Sequence, residues 1–164
     1  MTLTIKVDLT EVLAMAQQMP ELNTAVKLFS GIAMEKSLDV AQTAVAEETP
    51  VNYGALRASV GKQTIGSPFP FAGEVFSPLD YAAPVEFGRK PGKRPPTEAI
   101  EAWVIRKLGY KGKQARSVAF LIARAIGRRG TRGAFMFKRG FAVAEPVIIK
   151  IWESVPAMAI QAVG

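Results

Sequence analysis

The 164-residue sequence contains neither cysteine nor histidine. Without cysteine there can be no disulfide, thiolate metal ligand or cysteine nucleophile, a composition suited to a reducing compartment. Without histidine, the His-ligated zinc sites, the Ser-His-Asp triad and the commonest general base are excluded together. Catalysis would have to rest on carboxylates, lysine or tyrosine, so the expectation is a non-enzyme with no cofactor and no metal. Long hydrophobic runs are also lacking: none approaches the ~18 residues of a membrane span. The most apolar segment, FAVAEPVIIKIWESVPAMAI, is broken by Glu145, Lys150 and Glu153. The opening MTLTIKVDLT has no apolar core and no small-residue cleavage site, so no signal peptide is expected. These absences lead to the expectation of a soluble, intracellular protein with no membrane partner.

Acidic residues are scarce in one half only. Residues 1–88 hold 5 Lys/Arg and 10 Asp/Glu, a net of −5, whereas residues 89–164 hold 16 and 4, a net of +12. Such a split suits a polyanion or an acidic surface meeting the second half. It equally suits self-association, with the acidic half of one copy against the basic half of another.

Periodicity supplies the elements. LTIKVDL (3–9) alternates as a short strand. Leu22, Val26, Phe29, Ala33, Val40 and Ala44 recur at helical steps from Pro20 to about Ala46, and Pro50 ends the helix because the residue before proline leaves the α region. ALRASVGKQTI (55–65) and FAGEVFS (71–77) read as a hairpin around GSPFP. YAAPVEFG (81–88) fits either a short strand or a single helical turn. Thr97 is expected to cap a helix carrying Ile100, Trp103, Val104 and Leu108, with Gly109 as its stop. A further helix runs from about Gln114 to Ile126, AFMF (134–137) is a brief strand, and the tail from about Phe141 to Pro156 is helical. The expected class is α+β. One domain over 1–164 has a small, largely antiparallel sheet packed against a long N-terminal helix and several C-terminal helices. Two exposed basic loops interrupt it, at 89–96 and 127–133.

Three places carry candidate chemistry. In TPVNYGALRASV (49–60), Pro50 and Gly54 punctuate a join and Leu56 enters the core, a purely structural reading; the functional alternative is that Arg57 projects to pair with a carboxylate, with Glu86 as the candidate. Glu86 stands between Val85 and Phe87, so it either points to water or is buried against a cation. As a catalytic carboxylate it has no evident partner, since Asp80 lies in a turn and Glu74 on a strand, and a carboxylate hydrolase fits poorly. The basic loops hold Arg89, Lys90, Lys93, Arg94, Arg128, Arg129 and Arg132 as candidate contacts to a partner or to DNA. GRRGTRG is not a phosphate-cradling P-loop, and interleaved aromatics for base stacking are missing, so contact with DNA would be nonspecific.

Two blocks in order resemble a family. TPVNYGALRASV, followed some twenty residues later by YAAPVEFG, is similar to the tail-completion, or neck, proteins that join head and tail in long-tailed bacteriophages. That family carries a Pro-Val-Asp-Thr-Gly-x-Leu-Arg-x-Ser block after a long N-terminal helix, and a Tyr-Ala-x-x-Val-Glu-Phe-Gly block after a hairpin. A basic Pro-rich loop, a Trp-containing helix and a small aromatic block follow, matched here by RKPGKRPP, EAWVIRKLG and GAFMFKRGF. The likeness covers roughly residues 20–145. Asn52 and Tyr53 stand where Asp and Thr are usual, and Arg89 where threonine is common.

The resemblance implies a structural virion protein at the head–tail junction, made in the host bacterial cytoplasm. It implies a homo-oligomeric ring of six subunits whose partners are the head connector or stopper protein and the tail tube protein. Its structural motif residues would be Pro50, Gly54, Leu56, Arg57, Ser59, Tyr81, Glu86, Phe87 and Gly88, with Arg57 and Glu86 holding the two blocks in register. The alternative is a basic, nonspecific nucleic-acid-binding accessory protein acting through residues 89–132.

Overall fold

A computed structural model describes residues 1–17, 19–51, 54–66 and 72–164, with Met15 described in its backbone alone. The architecture is α+β, as expected, with a long helix from Pro20, a small antiparallel sheet and helices toward the C-terminus. The sequence reading treats 1–164 as one domain; the contacts divide it into two compact units, Met1–Ala82 with Met136–Gly164, and Ala83–Phe135.

In the first unit, β1 (Thr2–Lys6) precedes a short helix, α1 (Thr10–Ala16), which periodicity alone does not reveal. Asp8 Oδ1 accepts hydrogen bonds from the Thr10 N–H at 2.9 Å and from its hydroxyl at 2.6 Å, fixing the turn into α1. Helix α2 (Pro20–Glu48) has 29 residues and is about 43 Å long at 1.5 Å per residue. Of its buried positions, Val26, Ser30, Ala33, Ser37, Ala41 and Ala44 recur at three and four residues and trace one face, which Met34, Leu38 and Val45 widen. Of the six apolar positions expected there, Val26, Ala33 and Ala44 are buried, while Leu22, Phe29 and Val40 are half-buried. Thr49 stands at φ −75°, ψ 123°, the extended conformation that a following proline imposes.

The sheet is ordered β1-β3-β2 from β1, β2 (Gly61–Ile65) and β3 (Ala72–Phe76), all antiparallel. Phe76 stands opposite both Thr2 and Gly61. The expected hairpin is present, although most of its connection, residues 67–70, lies outside the described residues. Its first strand begins later than expected. Ala55–Ala58 forms a helical turn, α3, because Gly54 takes φ 80° and its carbonyl accepts the Ala58 N–H at 2.9 Å. Ala-Leu-Arg-Ala is a run of strong helix formers, and local propensity prevails over the alternation read into it.

The C-terminal helices are α7 (Met136–Glu153) and α8 (Val155–Gln161). AFMF is not a strand: Met136 opens α7, and buried Met136 and Phe137 anchor it, with the Thr49 hydroxyl 3.4 Å from the Met136 sulfur. Small residues let α2 and α7 approach closely. A Cβ added at Gly140 would stand 2.6 Å from Val45 Cα, so only glycine is accommodated at that crossing. Trp152 Nε1 donates to Ser37 Oγ at 3.0 Å, and Ser37 Oγ donates to Ala33 O at 2.7 Å, which satisfies the polar atoms at this contact.

The second unit holds α4 (Ala82–Phe87, entering from the first), β4 (Gly88–Arg89), α5 (Thr97–Leu108), α6 (Gly112–Arg129) and β5 (Thr131–Arg132). Of the two alternatives for YAAPVEFG the helical turn is found, with Pro84 in its first turn, where no N–H is required. Helices α5 and α6 form a hairpin around Val104, Ala115 and Ala119, with Ile100, Trp103, Val118 and Ile122 packed against them. Leu108, expected on that buried face, is exposed. Thr97 is the first helical residue rather than the cap, and its side chain makes no capping bond.

Candidate functional site

The first block is built on the end of α2. Pro50 closes the helix and Gly54 supplies the left-handed residue that starts α3, while Asn52 and Tyr53 lie outside the described residues. Leu56 is buried, as expected. Exposed Arg57 turns back along the chain, and its Nη2 donates to Glu47 O at 3.1 Å. The partner shown for Arg57 is thus a backbone carbonyl in the last turn of α2. The reason is local, since such carbonyls have no intrahelical donor and a nearby guanidinium satisfies one.

Ser59 has a role that residue type alone does not reveal. Its hydroxyl donates to Leu56 O at 2.7 Å and lies 2.8 Å from the hydroxyl of buried Ser77, which follows β3. Gln42 Nε2 donates to Val60 O at 2.8 Å, so α2 also holds the chain as it enters β2. Lys62 on β2 meets Asp39 at 2.9 Å and Glu35 at 3.1 Å, and Thr64 donates to Glu35 at 2.8 Å. The Thr64 and Lys62 hydrogen bonds hold Glu35 below its ordinary pKa, and the Asp39 hydrogen bond raises that of Lys62. Gln42, Lys62 and Thr64 escape sequence reasoning because their partners are 18 to 29 residues away.

The second block presents Tyr81 to solvent, buries Glu86 to 2% exposure and leaves Phe87 65% exposed. Glu86 thus takes the buried one of its two alternatives. The block continues directly into β4, and β4 pairs antiparallel with β5, setting Gly88 opposite Arg132 and Arg89 opposite Thr131. The pairing extends past the strands: the Ala134 N–H donates to Val85 O at 2.8 Å and the Phe135 N–H to Glu86 O at 3.1 Å. Gly88 stands at φ 79°, and a Cβ there would overlap the Thr131 carbonyl oxygen. Its place in the block is therefore dictated by the second basic segment, 43 residues downstream of it at Thr131.

The two basic segments are consequently not separate loops. Arg128 and Arg129 complete the last turn of α6, where their charge opposes the helix dipole, and Arg132 lies in β5. Residues 89–93 run beside 127–132: the Gly92 N–H donates to Gly127 O at 2.8 Å, and the Arg89 N–H to Thr131 Oγ1 at 3.1 Å. Arg94 differs from its neighbours, with its guanidinium over the Phe120 ring at 5.7 Å from the centroid. Arg89, Lys90, Lys93, Arg128, Arg129 and Arg132 are exposed, and none forms an ion pair among the described residues.

Among the described residues no three acidic side chains gather as a metal-ligand set, and no helix is long and apolar enough to cross a membrane. The arrangement offers surfaces and charge: a hydrogen-bonded helix-to-sheet join in the first unit and a cationic ribbon in the second. In comparisons with known proteins, no family model, no curated protein and no solved structure matches the chain.

Proposed function

We propose that the chain is a structural protein of the head–tail junction of long-tailed bacteriophages. It acts without catalysis, in the virion, as a homo-oligomeric ring of six subunits that completes the tail or joins it to the head connector. Its partners in this reading are other copies of itself, the connector or stopper protein, and the tail tube protein. Assembly takes place in the host cytoplasm.

The supporting observation is the ordered pair of blocks, TPVNYGALRASV and YAAPVEFG, each of which falls at a join between structural elements. The first ends a 29-residue helix and turns it into the sheet through Pro50, Gly54, Arg57 and Ser59. The second runs into a strand whose pairing requires Gly88. Joins held by specific hydrogen bonds and a required glycine suit a subunit that repeats around a ring, because angular error at each contact accumulates until closure fails. Quantitative mass spectrometry of purified particles tests the reading: about six copies per virion are expected from a single closed ring. Particles that lack the chain contradict it.

A further inference from the structure

We infer that the β4–β5 ribbon and the last turn of α6 form a binding site for the phosphate backbone of duplex DNA. The charge layout is the first argument. Ala83–Phe135 holds 13 Lys/Arg against 3 Asp/Glu, a net of +10, while the remainder of the chain holds 8 against 11, a net of −3. The whole-chain charge of +7 therefore understates a concentrated cationic surface.

Backbone pairing draws six of those cations together. Arg89, Lys90 and Lys93 lie on one limb and Arg128, Arg129 and Arg132 on the other, joined by the Gly88–Arg132 and Arg89–Thr131 pairs and by the Gly92–Gly127 hydrogen bond. Like charges held on adjacent strands repel one another, at a cost that an anionic partner removes. Two other cations of the same unit are engaged: Arg116 meets Glu101 at 3.6 Å and Arg94 covers Phe120, while Lys107, Lys111 and Lys113 lie outside the paired segments. The ribbon differs in that backbone pairing gathers its six exposed cations, none in an ion pair among the described residues, on two adjoining limbs suited to release counterions from a polyanion.

Duplex DNA follows from the character of the site. It consists of charge, with Thr131 Oγ1 already accepting the Arg89 N–H and no Asn or Gln on either limb to read a base edge. A site made of charge favours the polyanion with the densest charge, and duplex DNA releases more counterion per contact than a single strand does. Binding is therefore sequence-independent. This inference rests on the charge layout of Ala83–Phe135 and not on the head–tail reading. A junction protein with no DNA affinity would contradict the inference alone.

The full chain is titrated by fluorescence anisotropy against a labelled duplex of about 20 base pairs, from about 50 to about 200 mM salt. With about five phosphates neutralised, log K falls against log salt with a slope of about −4.5, a roughly 500-fold loss across that range. Replacing both Arg89→Ala and Arg132→Ala removes about two of these contacts and makes the slope shallower by about 2. Both arginines pair through their backbones, so the ribbon persists in this variant, and unchanged circular dichroism melting verifies it. Lys27→Ala with Lys36→Ala, two exposed cations of α2 in the other unit, leaves the slope unchanged. Three results overturn the inference: a slope indifferent to the ribbon variant, tighter binding of a single strand of equal length, or equal displacement by polyglutamate at matched charge. The second would point to base stacking on exposed Phe87 and Phe135, and the third to an acidic protein surface.

Discussion

Gly88 and Ser30 show how single residues report on this structure in opposite directions. Gly88→Ala places a Cβ against the Thr131 carbonyl at a positive φ, so both the ribbon and the local conformation oppose it. The expected loss is about 2 kcal/mol or more, seen as a lowered urea midpoint and faster hydrogen exchange at the amides of 130–135. Ser30 is fully buried on α2, and its hydroxyl has no partner among the described residues. Ser30→Ala removes an unsatisfied group and should raise stability, by up to about 1 kcal/mol in urea denaturation.

The Glu35–Lys62–Asp39 cluster carries a pH signature at the same scale. Glu35 is held below 4.5 when folded, so its contribution is present above that value and lost as pH falls through the lowered pKa. Lys62 is raised above 10.5, so its contribution is present below that value and lost as pH rises through the raised pKa. Lys62→Met should therefore cost stability between these limits. Solvent screening of the exposed partners keeps that cost below about 1 kcal/mol. In a urea series across pH, the difference from the parent shrinks under acid as Glu35 protonates.

Among the elements, the α2–α7 contact and the α2–β2 join hold the first unit together. Gly140→Val forces backbone apart where α7 crosses Val45, and a loss of about 2 to 4 kcal/mol in urea denaturation is expected. Ser59→Ala deprives buried Ser77 of a hydroxyl partner and should cost about 1 to 2 kcal/mol. Much at this scale was legible in the sequence. The helix from Pro20, its stop before Pro50, the hairpin and the α5 stop at Gly109 all follow from local chemistry. What was not legible depends on partners far along the chain. The β4–β5 pairing joins segments some 40 residues apart, and it turned two apparent loops into one ribbon. The Arg57 contact to Glu47 O is local but equally hard to read, because residue type does not say which helix-end carbonyl a nearby guanidinium will satisfy.

For the whole molecule, the decisive feature is the segregation of charge with compactness: +10 in Ala83–Phe135 and −3 in the other unit. The halves of the sequence hinted at this division but cut it at the wrong places, because the C-terminal helices belong with the N-terminal unit. An acidic unit and a basic unit in each copy suit head-to-tail contact between copies, the kind of contact from which a ring closes. The most direct measurement of the proposed role is electron microscopy of particles made when this gene is disrupted in the phage or prophage that the role requires. Filled heads beside unattached or overlong tails are predicted. Normal, joined particles would contradict the account.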